Sequence, residues 1–128
     1  MARVRDYMHK GLVTADAQAS VAEAARVMME NGVGSVMVTE NGNPIGIFTE
    51  RDVVRAIAEI PEAESKPISR WTSRPLRTIS PDAGTVDAVS MMVQGHFRHL
   101  PVEENGELIG ILSMRDLMSL EPALRATH

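Results

Sequence analysis

The sequence predicts an α+β protein built from two copies of a β-α-β-β-α unit, packed sheet against sheet about a pseudo-twofold axis with helices outside. Three observations lead there. First, shifting the chain by 64 residues lays Val38-Thr-Glu-Asn-Gly-Asn-Pro-Ile-Gly-Ile-Phe-Thr-Glu-Arg-Asp52 over Val102-Glu-Glu-Asn-Gly-Glu-Leu-Ile-Gly-Ile-Leu-Ser-Met-Arg-Asp116, with nine of fifteen positions identical. Second, each copy carries a stretch with apolar residues at helical spacing. Third, each copy has Asn-Gly between two apolar runs, a hairpin signal because both residues tolerate positive φ.

The elements follow in order. Each copy opens with a short extended piece, Gly11-Leu-Val-Thr14 or Pro75-Leu-Arg-Thr-Ile79. A helix comes next in copy one, with Ser20 as N-cap and Glu23 in the capping-box position. Its stripe is Val21, Ala24, Ala25, Met28 and Met29; in copy two the stripe is Val86, Val89, Met92 and Val93, with a one-residue slip of register near Ser20 and Thr85. Strands are expected at 35–39 and 45–48, and again at 99–103 and 108–112. A closing helix covers 50–60 in copy one and 114–120 in copy two. Residues 1–60 form repeat 1, the Pro-bracketed polar stretch 61–67 a linker, and 68–128 repeat 2. One unit alone buries its apolar faces poorly, so the two are expected to share a core. The offset also pairs Tyr7 with Trp71.

Composition narrows the function. The 128 residues are 44% hydrophobic and 23% charged, with a formal charge of −4, so the basic surplus of a nucleic-acid binder is missing. There is no Cys, which excludes disulfide scaffolds, Cys-based zinc sites and thiol chemistry. No apolar run is long enough to span a membrane, and charges at the N-terminus argue against a signal peptide, so a cytoplasmic protein is expected. No phosphate-loop, dinucleotide or nucleophile-elbow motif is present, and no catalytic activity is expected. His96 and His99 do not supply the three or four converging ligands of a metal site. The Met-rich stretches Met28-Met29, Met37 and Met91-Met92 read as core filler.

The segment Gly46-Ile-Phe-Thr-Glu-Arg-Asp52 and its copy Gly110-Ile-Leu-Ser-Met-Arg-Asp116 sit where a strand ends and a helix begins. A helix N-terminus offers unpaired N–H groups and the positive end of the dipole to a phosphate. Thr49 or Ser113 adds a hydroxyl, Arg51 or Arg115 a cation, and Asp52 or Asp116 an acceptor for ribose hydroxyls. Gly46 and Gly110 leave room for a ligand to approach the backbone. The same Thr/Ser-x-x-Asp spacing is also a capping box, in which hydroxyl and carboxylate satisfy the helix's own amides.

The duplicated unit with Gly-Ile-x-Thr/Ser-x-Arg-Asp after its hairpin resembles a tandem pair of cystathionine β-synthase (CBS) domains, a Bateman module, over nearly the whole chain. Val4-Arg-Asp-Tyr-Met8 resembles the usual lead-in, and Phe97-Arg-His-Leu-Pro-Val102 a form common in second copies. The resemblance implies a regulatory, energy-sensing module that binds an adenosyl nucleotide (AMP, ADP or ATP) in clefts between the repeats and signals to an effector protein. A binder of S-adenosylmethionine or NADH and a nucleotide-free assembly module are the alternatives. Carried over by position, the ribose contact falls on Asp52 and Asp116, and the phosphate side on Thr49, Arg51, Ser113 and Arg115, with Arg98 and His99. The adenine pocket falls near Val13, Thr14, Val36 and Met37, and near Thr78, Ile79, Leu100 and Pro101. No aromatic lies at those positions, so the base should rest between aliphatic side chains. Gly34-Ser35 replaces Arg98-His99 in copy one, so the two sites should differ. The resemblance further implies a homodimer through the closing helices, on which Val53, Val54, Ile57 and Ile60 exceed what one buried face requires.

Overall fold

The computed structural model describes residues 2–118. In chain order it contains strands β1 (His9–Lys10) and β2 (Thr14–Asp16), helix α1 (Val21–Asn31), and strands β3 (Ser35–Glu40) and β4 (Asn43–Thr49). Helices α2 (Glu50–Glu59) and α3 (Thr85–Gly95) follow, then strands β5 (His99–Glu104) and β6 (Glu107–Ser113), and helix α4 (Met114–Leu117). Short 3-10 turns lie at Val4–Asp6, Ala63–Ser65 and Ile68–Arg70. The protein is α+β with two repeats, as the sequence predicts. The expected continuation of the last helix through residue 120 lies outside the described residues.

The chain divides into two compact units, and they cut across the repeat boundaries. One is Val13–Leu76; the other joins Met1–Leu12 to Arg77–His128. Each repeat's lead-in therefore belongs to the unit built on the other repeat's body.

In the central unit β2 runs parallel to β3, and β3 pairs antiparallel with β4. Beyond β4, Ser73 of the second lead-in bridges to Ile47, with backbone bonds of 3.1 and 2.9 Å in the two directions. The hairpin turn has Asn41 at φ 54° and Gly42 at φ 80°, the left-handed pair that a two-residue hairpin loop requires. Ser20 caps α1 by accepting from the Glu23 amide at 3.1 Å. The helix ends on Gly32 at φ 64°. Val21, Ala24 and Met28 from α1, Val36 and Val38 from β3, Phe48 from β4, Ala56 from α2, and Trp71 from the lead-in form the core. The stretch 61–67 packs into this unit: Ala63 is buried in the core, and the Lys66 carbonyl accepts from the first amide of α1 at 3.0 Å. A helix start leaves amides without intrahelical partners, and that carbonyl meets one of them.

The terminal unit repeats the plan. Its sheet runs β1-β6-β5, and Ile79 bridges in parallel to Val102. Val4, Tyr7, Ile79, Ala88, Met92, Leu100, Val102 and Leu112 form its core. Arg5 hydrogen-bonds Glu104 at 2.6 Å and Asp82 at 3.1 Å, tying the lead-in to the sheet. Those bonds, Glu104 first and then Asp82, raise the guanidinium above its ordinary pKa.

The expected slip of register is absent. Helices α1 and α3 both have eleven residues and start 64 positions apart. Helix α3 is capped by Gly84, not by a hydroxyl, and its first amide donates to the Ala2 carbonyl at 3.1 Å. A shift of one residue rotates a helix by about 100°, so the predicted stripe of α3 had the wrong phase. Ala88 and Met92 face the core, while Val86, Val89 and Val93 are exposed. Met29 is exposed as well, contrary to the core-filler expectation, whereas Met28, Met37 and Met92 are buried.

Candidate functional site

Each repeat presents the same junction, from the last residue of a strand into the first turn of its closing helix. Thr49 ends β4 and N-caps α2; Ser113 ends β6 and N-caps α4. In the first junction Thr49 N–H and Oγ1–H donate to Asp52 Oδ2 at 2.9 and 3.1 Å, and Asp52 N–H donates to Thr49 Oγ1 at 3.3 Å. In the second, Ser113 N–H donates to Asp116 Oδ2 at 2.8 Å, and Asp116 N–H to Ser113 Oγ at 3.1 Å. The capping reading of the Thr/Ser-x-x-Asp pattern is therefore realised in both copies. The two carboxylates are nearly sealed, with Asp52 4% and Asp116 5% exposed.

Other amides at these junctions are also met by the chain. Glu50 N–H donates to the Gly34 carbonyl at 3.0 Å, and Met114 N–H to the Arg98 carbonyl at 2.8 Å. The donors awaiting an anion are thus fewer than the bare helix ends implied. Arg51, Arg115 and Arg98 are exposed, and His99 is half-buried at the start of β5.

The room beside each glycine is occupied by protein. A Cβ on Gly46 would meet the Ser73 carbonyl oxygen, and one on Gly110 the His9 carbonyl oxygen. The glycines admit the exchanged lead-in, where the sequence had suggested space for a ligand.

The carried-over adenine positions separate by strand alternation. Val36 and Leu100 are wholly buried in their cores, and Ile79 joins the second of them. Met37 and Pro101, the next residues along β3 and β5, are buried on the opposite face, as the two-residue period of a strand dictates. Val13 packs against the first core and its carbonyl accepts from Met37 N–H at 2.8 Å; Thr14 is exposed. Thr78 is half-buried, and Ile79 N–H donates to the Pro101 carbonyl at 3.0 Å.

Two further residues reach the carboxylates. Arg55 Nη1 donates to Asp52 Oδ1 at 3.2 Å, and His9 Nε2 lies 2.9 Å from Asp116 Oδ1. Arg55 was findable, since a residue three along a helix shares the face. His9 left no local signal, standing 107 positions from its partner. No group of three or more metal-ligating side chains occurs among the described residues. No helix among them is long and apolar enough to cross a membrane.

Fold, duplication and junction together define a paired small-domain module. The CBS domain family matches residues 4–59 and 68–122, and the chain belongs to that family. An uncharacterized protein of Methanopyrus kandleri is 38% identical over 97% of this chain and 65% of its own length. CBS domain-containing protein YhcV of Bacillus subtilis is 31% identical over 91% of this chain and 84% of its own. The chain spans 65% and 60% of the lengths of the Methanopyrus protein and of a 17.7 kDa uncharacterized protein of Acidianus ambivalens. Among solved structures, a CBS-domain protein of Agrobacterium tumefaciens is 35% identical, with a TM-score of 0.82, covering 90% of this chain and 87% of that one. A CBS domain protein of Pyrobaculum aerophilum, solved in complex with AMP, is 29% identical, with a TM-score of 0.81, covering 98% of this chain and 99% of that one.

Proposed function

We propose that this chain is a non-catalytic regulatory module that binds an adenosyl nucleotide of the AMP, ADP or ATP type and passes the binding event to an effector protein. The observation that carries the reading is the junction of the first repeat, in which the nearly sealed Asp52 keeps acceptor capacity beyond its cap. An ionised carboxylate has about four acceptor directions. Asp52 uses three of them, two for Thr49 and one for Arg55, which leaves one for a ribose hydroxyl. The AMP complex of the Pyrobaculum relative supports the same class of ligand. Arg51, Arg115, Arg98 and His99 serve the phosphate side. Val13, Thr14 and Met37, with Thr78, Ile79 and Pro101 in the second repeat, serve the base through backbone and aliphatic groups. Val36 and Leu100 then act from behind, as core under the pocket.

The module works as a homodimer through the closing helices. Val54 and Ile57 of α2, 67% and 56% exposed, support an interaction surface there, as does exposed Met118 just past α4. Those side chains also favour a second reading, an assembly module that holds no nucleotide.

Thermal unfolding with AMP, ADP, ATP, S-adenosylmethionine and NADH tests the first reading. A ligand at about 100 times its dissociation constant adds about 2.7 kcal/mol, several degrees for a chain of this size. No shift with any of the five leaves the assembly reading.

A further inference from the structure

Asp52 and Asp116 are equivalent under the 64-residue offset, yet the group that meets the second oxygen of each comes from a different place. For Asp52 it is Arg55, one turn along the same helix. For Asp116 it is His9, on a strand of the exchanged lead-in. The exchange is reciprocal in the sequence. The position matching Arg55 is Ser119, and the position matching His9 is Ser73. Repeat 1 thus carries both basic residues and repeat 2 both serines, and because the lead-ins are exchanged each compact unit receives one of each.

We propose that Arg55 and His9 are the positioning residues of the two carboxylates, and that this choice makes the Asp116 site responsive to pH while the Asp52 site is not. The proposal rests on the adenosyl-nucleotide reading above. A guanidinium keeps its charge at every working pH, whereas an imidazole is the side chain whose charge changes between about pH 5 and 8. As imidazolium, His9 donates a charge-assisted bond to Asp116 Oδ1 and competes with a ligand hydroxyl for that oxygen. As neutral imidazole it holds the oxygen more weakly, and the hydroxyl competes better.

The surroundings fit this role. His9 is 58% exposed, in contact with solvent protons, while its partner is nearly sealed. The other charged groups on neighbouring elements are Lys10 beside it on β1, Arg5 and Asp6 in the preceding turn, Glu107 on β6 and Arg115 on α4. Arg5 is engaged by Glu104 and Asp82. Among the described residues, Asp116 is the carboxylate within ion-pair distance of His9.

Two measurements test the proposal, one without ligand. A double-mutant cycle in Tm pairs His9→Ser with Asp116→Asn, at about pH 5.5 and about pH 8.5; a parallel cycle pairs Arg55→Ser with Asp52→Asn. Serine is the residue the chain itself uses at both matching positions. The His9–Asp116 coupling should be about 2 °C near pH 5.5 and under about 1 °C near pH 8.5, with the Arg55–Asp52 coupling equal at both. A His9–Asp116 coupling that is absent, or the same at both pH values, overturns the proposal.

With AMP as probe, Asp52→Asn and Asp116→Asn each leave one site for titration. The ratio of the two affinities cancels the ligand's own protonation. It should move about threefold toward the Asp116 site as pH rises, and His9→Arg should flatten that change. An unchanged ratio overturns the proposal. Absence of AMP binding to every variant overturns the nucleotide reading and the ligand half of this proposal with it, while the unfolding cycle separately decides whether protonation couples His9 to Asp116.

Discussion

The indole N–H of Trp71 donates to Glu59 Oε1 at 2.8 Å, tying the lead-in of the second repeat to the closing helix of the first. Trp71 lies 64 positions after Tyr7, and each ring is buried in the unit whose body comes from the other repeat. Trp71→Ala empties a large site in a core with few other rings. The expected loss is about 3–5 kcal/mol in urea unfolding. Glu59→Gln retains an acceptor for the indole, so it should cost about 1 kcal/mol or less.

Gly46→Ala and Gly110→Ala should each destabilise by about 1–3 kcal/mol, because the added methyl meets a backbone carbonyl of the lead-in that cannot swing aside. If the space were kept for a ligand instead, either substitution would leave the free protein's stability unchanged and weaken only binding. Chemical denaturation without nucleotide separates the two.

Thr49→Ala removes the α2 cap and should cost about 0.5–2 kcal/mol. It leaves Asp52 in place, so it is the control for Asp52→Ala, which loses both a cap and a candidate ribose contact. In the nucleotide reading, Asp52→Ala abolishes the AMP-induced shift at that site and Thr49→Ala only reduces it. Equal effects of the two variants would assign the aspartate to capping alone.

His96 ends α3 at φ 58°, where the equivalent end of α1 has Gly32 at φ 64°. A side chain in the left-handed region costs about 1 kcal/mol, so His96→Gly should raise Tm by a few degrees. An unchanged or lower Tm would show that the contacts of the imidazole outweigh its backbone cost.

Val54→Glu together with Ile57→Glu should leave each module folded, since both side chains are exposed, and shift the chain to monomer in light scattering. Retention of a dimer would move the interface to the exposed Val86, Val89 and Val93 of α3.

The local pattern carried much of the fold. Two Asn-Gly turns placed the hairpins, Ser20 marked the start of α1, and the 64-residue offset holds from Val4 to Met114 without a slip. The phase of α3 is not legible locally, because its N-cap is Gly84 and its first amide is met by the Ala2 carbonyl of the lead-in, a device with no side-chain signature. Of the candidate site, the Thr49–Asp52 and Ser113–Asp116 pairs were legible, since hydroxyl and carboxylate lie within one helical turn. Arg55 was within reach of the same logic.

The duplicated order of strands and helices, the hairpin turns and the capping pairs are properties of neighbouring residues, and short-range backbone preference is enough to specify them. The exchange of lead-ins was not written locally. It is decided by which edge of which sheet accepts Ser73 and His9, and by glycines that let those backbones in. That same long-range pairing brings His9 to Asp116, while Asp52 finds its partner on its own helix. The two junctions already differ in sequence at Arg55 and Ser119, but only folding gives Asp116 its partner from the far end of the chain.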